Sequence, residues 1–236
     1  MKLVDKKTIA SYYEREGKRL TTNDIDKSYR GYYRYFSTHG SRRVILERWL
    51  KKAKKNETFL DVGCELGYFV RKMAQQGLNA VGIDISPTKI QKADYIAQKM
   101  NINCQFKVMD AEHLQFEDNS FDWVLCSETL EHVLNDRQAA NELVRVAKGY
   151  IIVTVPQKSL FWRVLNRIRP VYHFATCNAG HLRDYTPETL LNLFPKQVRV
   201  ESMKSCNFFA AILDRFLSRI SILKAILCIK LKKISK

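Results

Sequence analysis

Through the middle of the chain, apolar runs that end in an acidic residue alternate with stretches of helical periodicity. Residues 58–63, 79–85, 104–110 and 121–126 are short and mostly apolar, as buried strands are, and residues 150–155 form a fifth run closed by Pro156. Between them, residues 68–76, 86–100 and 136–147 carry apolar side chains at helical spacing. Gly77 stops the first of these stretches. Ser86-Pro87 opens the second with a capping hydroxyl and a residue suited to a first turn. Such alternation predicts an α/β fold, with a parallel sheet covered by helices on both faces.

The flanks read differently. Residues 1–55 are polar, basic and tyrosine-rich, with Val44, Ile45, Trp49, Leu50 and Ala53 at helical spacing, and are expected to form a helical cap or lid. Residues 56–236 form the main domain, in which residues 157–186 are expected to be an acceptor-side loop. Helices are predicted over 160–168 and from Thr186-Pro187-Glu188, and late strands over 198–203 and 226–234. Phe209, Ile212, Leu213, Phe216, Leu217 and Ile220 make an amphipathic stripe. Charged residues interrupt that run, so it does not read as a membrane span.

Composition adds one distinction. The net charge of +16 is uneven: residues 1–60 hold 16 basic and 7 acidic side chains, residues 61–150 hold 9 and 13, and residues 151–236 hold 15 and 4. Basic flanks around a mildly acidic centre suit an anionic acceptor or surface, or simply a solvated lysine-rich exterior. The six cysteines are scattered without a Cys-x-x-Cys pair and read as reduced thiols of a cytoplasmic protein. Nothing at the start of the chain resembles a secretory signal.

The chemistry begins at Asp61-x-Gly63-x-x-x-Gly67, followed by Asp84 at the end of the next strand. Glycines let backbone approach a nucleoside, and a carboxylate at the second strand end accepts from ribose hydroxyls. The Gly-Lys-Ser/Thr of a phosphate loop is absent. So is Gly-x-Gly-x-x-Gly, because Glu65 stands where a glycine is expected. An acidic residue at position 61 would repel pyrophosphate but suits a ligand bearing ammonium or sulfonium charge.

Residues 59–69, 80–86, 108–111, 121–132 and 143–146 resemble the successive motifs of class I S-adenosylmethionine-dependent methyltransferases, and the likeness runs in order over residues 45–200. The resemblance implies a doubly wound, Rossmann-like sheet of seven mostly parallel strands, the last antiparallel. It also implies that Asp61, Gly63, Cys64 and Gly67 contact the methionine part of the cofactor. Asp84, with Ile85 beside it, would hold the ribose; Asp110 and Ala111 would contact adenine; Ser127 would line the methyl-donor side.

Glu128-x-x-Glu131-His132 is the second constellation. On a first helical turn these three side chains would converge, and with His181 they would offer two carboxylates and two imidazoles to Mg²⁺ or Mn²⁺. The pattern resembles ubiquinone-pathway O-methyltransferases and small-RNA 2′-O-methyltransferases. The competing reading is a metal-free pair in which His132 packs or caps. His132 and His181 are the catalytic candidates, and Arg183 is a candidate anion contact.

The expected activity is methyl transfer from S-adenosylmethionine to an oxygen, or alternatively a nitrogen, of a small-molecule or lipid-like anionic acceptor. Peripheral membrane contact through the basic flanks is compatible with it. An RNA methyltransferase and a catalytically inactive methyltransferase-like scaffold are the alternatives. The first is suggested by the basic flanks, the second by Glu65.

Overall fold

The computed structural model describes residues 5–19, 38–157, 181–207 and 224–234. The helix expected over 160–168, the stripe over 209–220, the tyrosines of 28–36, His173 and Cys177 lie outside them. In chain order the elements are α1 (Lys6–Arg19), α2 (Thr38–Leu50), β1 (Thr58–Val62), α3 (Tyr68–Gln75), β2 (Asn79–Asp84), α4 (Pro87–Lys99) and β3 (Gln105–Val108). They continue with β4 (Phe121–Ser127), α5 (Asp136–Val146), β5 (Ala147–Pro156), α6 (Pro187–Leu191), β6 (Val198–Asn207) and β7 (Lys224–Lys233).

The strands form one seven-stranded sheet in the order β3-β2-β1-β4-β5-β7-β6. The first five pair in parallel, and β7 runs antiparallel to both β5 and β6. The expected doubly wound fold is therefore present, with its antiparallel strand inserted next to the edge.

Side chains alternate between the two faces of the sheet, and two apolar clusters result. Leu60, Val62, Val124, Cys126, Ile151 and Val153 pack with Leu143 and Val144 of α5 on one face. Phe59, Trp123, Leu125 and Ile152 pack with Leu46 and Trp49 of α2 and with Val70 and Met73 of α3 on the other. Each fully buried leucine or phenylalanine contributes roughly 1.5–3 kcal/mol. This two-sided core is what fixes the strand ends relative to one another.

Local chemistry sets the helix starts as the sequence predicts. Ser86 Oγ accepts from the Lys89 N–H at the head of α4, where Pro87 follows the cap. Thr186 forms a reciprocal capping box with Thr189 on α6. The five described cysteines are free thiols. Among the described residues, no helix is long and apolar enough to cross a membrane.

Candidate cofactor pocket and active site

The chain order reverses between β1 and β4, and the carboxyl ends of β1, β2, β3 and β4 open onto a cavity of about 300 Å³. A parallel sheet leaves a crevice at such a reversal. Gly63, Asp84, Ile85, Asp110, Ala111 and Ser127 line the cavity, six of the nine residues expected to bind cofactor.

Gly63 turns the chain out of β1 with φ 76°, and its N–H and that of Cys64 both donate to Ile83 O, at 2.9 and 2.8 Å. A side chain at 63 would run into Thr129. Glycine is thus required twice here, by conformation and by space. Asp84 organises the next turn: its Oδ2 accepts from the Glu65 N–H at 3.0 Å and its Oδ1 from the Ser86 N–H at 2.9 Å. Asp110 Oδ1 accepts from the Glu112 N–H at 2.9 Å, while its Oδ2 lies 2.9 Å from Lys6 Nζ.

Three expected contacts do not reach the cavity wall. Gly67 is the left-handed N-cap of α3, and a Cβ there would enter the Phe106 ring, so it serves the helix start and its packing. Cys64 is buried in the core beneath the turn. Asp61 is only 3% exposed at the end of β1. Burial, reinforced by the Asp84 charge, pushes its carboxyl up to about 8, while Arg42 pulls the other way.

Glu65 lies on the cavity wall, exposed, with φ 51°, a left-handed conformation that an L-residue adopts at a cost of about 1–2 kcal/mol. Its backbone N–H is held by Asp84, and this bond helps keep the conformation. Glu65→Gly should therefore stabilise the fold by about 1 kcal/mol once the greater freedom of unfolded glycine is counted. The check is a thermal melt, and a melting temperature below the wild type would contradict the strain.

On the acceptor side, residues 128–134 form an irregular turn, not the helical turn expected for Glu128-x-x-Glu131-His132. Glu128 has φ 55°, and its side chain points to Thr154 Oγ1 at 3.1 Å and Arg42 Nη1 at 3.6 Å. Ser127 Oγ joins the same chain through Thr154 Oγ1 at 2.9 Å. Glu128 is thereby drawn away from the other three metal candidates.

Those three do converge. Ligand atoms of Glu131, His132 and His181 lie within 4.8 Å of one another, and the two imidazole centroids are 4.7 Å apart. Leu182 N–H donates to Glu131 O at 2.8 Å, which seats the 181–186 segment on this turn. Glu131 is fully buried, yet among the described residues both its carboxylate oxygens lack hydrogen-bond partners, as does His181 Nδ1. Burial raises the Glu131 carboxyl well above the usual range, and the Glu128 charge adds to this. Orphaned buried polar atoms are rare in folded proteins, and this group of them suits a cation or a hydroxyl-bearing ligand.

Arg183 is not an anion contact. Its Nη2 donates to Leu134 O at 3.0 Å and its Nη1 lies 3.1 Å from Asp136 Oδ2, which also accepts from the Tyr185 hydroxyl at 2.9 Å. These bonds hold the 181–186 segment in place. Arg42 of α2 is a cationic site residue that the sequence reading missed. It lines the cavity near Glu128 and Asp61, and its Nε is buried without a hydrogen-bond partner among the described residues. That is a suitable position for holding a carboxylate.

Residues 60–153, from β1 to β5, match the family model described as a methyltransferase domain. The similarity to that methyltransferase model lies in this segment, about two-fifths of the chain. Among curated methyltransferases, it is 30% identical over 133 residues to the ubiquinone biosynthesis O-methyltransferase of Bartonella tribocorum, covering 56% of this chain and 51% of that one. It is 33% identical over 138 residues to the Azoarcus sp. enzyme of the same name, covering 58% and 53%. The chain spans about half the length of the curated relatives it matches. Magnesium protoporphyrin IX methyltransferase from Synechocystis PCC 6803, solved with bound SAH, shares the methyltransferase fold at TM-score 0.72 and 15% identity, covering 97% of this chain and 100% of that one.

Proposed function

We propose that the protein transfers a methyl group from S-adenosylmethionine to an oxygen of a small or lipid-like acceptor. The observation that carries this reading is the fully buried Glu131 carboxylate, which has no hydrogen-bond partner among the described residues and lies 3.8 Å from His132 Nε2, beside His181 and next to a nucleoside-sized cavity. The cofactor supplies an electrophilic sulfonium methyl. The residues present fit it. Asp84 offers carboxylate lone pairs for a ribose, Glu65 offers negative charge to an ammonium, and Arg42 offers positive charge to a carboxylate.

Two imidazoles beside a buried carboxylate can take the proton of an acceptor hydroxyl, which leaves the oxygen free to displace the sulfur from the methyl. The transfer yields the methyl ether, S-adenosylhomocysteine and one proton. Glu131 orients and stabilises the imidazole that carries the proton, and the apolar walls formed by Ile83, Met109 and Val133 keep water out. Glu131, His132 and His181 would also hold Mg²⁺ or Mn²⁺, which would lower the pKa of an acceptor hydroxyl. The names of the ubiquinone-pathway relatives support oxygen as the methylated atom, and the basic flanks support an anionic acceptor.

Labelled methyl transfer into lipid, small-molecule and RNA fractions, with and without chelator, tests these points. Label should enter a ribonuclease-resistant organic fraction. Activity lost in chelator and restored by Mg²⁺ or Mn²⁺ supports the metal, whereas full activity in chelator removes it and leaves the histidines as base. Label confined to ribonuclease-sensitive material would transfer the reading to RNA.

A further inference from the structure

We infer that α1 is a removable wall of the cofactor cavity, latched by Lys6 and Glu14, so that cofactor and product exchange only when the helix lifts. The inference rests on the cavity being the S-adenosylmethionine site. Lys6, Ile9 and Tyr13 all line the cavity, and their spacing of three and four puts them on one face of α1. The Tyr13 ring meets His132 edge-on at 5.3 Å and carries the Lys89 ammonium 4.9 Å from its centroid. One side chain of α1 thus borders both the head of α4 and the acceptor side.

The helix is tied down at the turns that follow β2 and β3. Lys6 Nζ lies 2.9 Å from both Asp110 Oδ2 and Glu112 Oε2. The Glu14 carboxylate sits at the head of α4, where it accepts from the Thr88 N–H at 3.1 Å, from Ser86 Oγ at 2.9 Å, and from Thr88 Oγ1. Pro87 has no N–H to offer and Ser86 already takes that of Lys89, so Glu14 occupies the donor left over in the first turn. Gly17 allows close approach: a Cβ there would stand 3.0 Å from Ser86 Oγ and 3.1 Å from Lys89 Cγ.

Among the described residues, the hydrogen bonds and ion pairs that hold α1 are those of Lys6, Glu14 and the Gly17 carbonyl, which accepts from Lys92 Nζ. Ile9, Tyr12 and Tyr13 are only half-buried, and Gly17 is the one residue of the helix that is fully buried, so the apolar surface that resists lifting is limited. A 14-residue helix is marginal by itself, and partly exposed ion pairs contribute little each. The attachment is therefore strong enough to define a wall and weak enough to open, which is the property of a locally unfolding lid.

The test uses S-adenosylhomocysteine as the probe, with its dissociation followed by stopped flow for the wild type, Lys6→Met, Glu14→Gln and Glu14→Ala. Loss of one latch should raise the dissociation rate roughly two- to fivefold. Amide exchange in α1 should rise in parallel, and the thermal melt should barely change. Glu14→Gln keeps the size of the side chain and guards against a folding defect in Glu14→Ala. Unchanged dissociation in all the variants, with faster α1 exchange, would overturn the lid alone. Failure of the wild type to bind the probe would overturn the cofactor reading and the lid with it.

Discussion

Asp84→Asn is expected to weaken S-adenosylhomocysteine binding by about 10²- to 10⁴-fold, the largest loss of affinity among single changes in the pocket. The carboxylate has three tasks. It accepts from the Glu65 N–H, it accepts from the Ser86 N–H, and it presents its remaining lone pairs to the cavity. Both backbone partners are donors. An amide can satisfy only one of them and turns its NH₂ group on the other. Hydrogen bonds to a charged acceptor contribute about 1.5–3 kcal/mol each, and two are lost or weakened, one to the turn and one to the ligand. The turn suffers as well, because the bond from Asp84 steadies the left-handed Glu65. Calorimetric titration measures the effect, and a dissociation constant within about threefold of wild type would remove Asp84 from the binding site.

Much of this turn was legible in the sequence, for a physical reason. A buried strand must end where its backbone meets solvent or ligand, so an apolar run closed by an acidic residue marks both the strand and the point where its carboxylate emerges. Asp84 and Asp110 follow that rule. Asp61 sits at an equivalent place in sequence, but β1 is central in the sheet, and its carboxylate stays beneath the turn. Spacing also could not separate Gly63, needed at the cavity, from Gly67, needed at a helix cap against Phe106. Both glycines have positive φ, and only three-dimensional neighbours assign the role.

The acceptor side was legible in composition and not in geometry. Helical spacing would bring Glu128 beside Glu131 and His132, but the left-handed backbone at Glu128 turns its side chain toward Thr154 and Arg42. His181 is 49 residues from His132 in the chain, and the pairing depends on the bonds of Leu182, Arg183 and Tyr185 to the 130–136 turn. Arg42 and Lys6 were hidden for a different reason. In a chain this basic, a single cation in an N-terminal helix reads as solvated surface. The one available signal for Arg42 was its place beside the apolar positions Val44, Ile45 and Trp49, which puts it near the sheet.

Glu131→Gln should make the protein more stable and much less active. The carboxyl is fully buried without a hydrogen-bond partner among the described residues, so ionising it in the ligand-free protein is unfavourable; burial and Glu128 raise its pKa, and its own backbone N–H and Arg42 oppose them only in part. A group whose folded pKa is raised binds more protons folded than unfolded. Its contribution to stability is therefore full below the unfolded pKa and is lost as pH rises through the folded value. Asp61, pushed up to about 8, acts with the same sign. Wild-type stability should consequently fall between about pH 4 and pH 8. Glutamine removes one of the two titrations and replaces a charge with an amide, whose burial costs less. A gain of about 1–2 kcal/mol at pH 8 corresponds to a rise of roughly 2–8 °C in melting temperature for a chain of this size, shrinking toward pH 5. Methyl transfer should fall at least about 100-fold, because the imidazole that takes the proton loses the charge that orients and stabilises it. Melts at pH 5 and 8, run beside labelled-methyl assays, decide it. A variant that is less stable at pH 8, or one that keeps its activity, would show that Glu131 is a structural carboxylate.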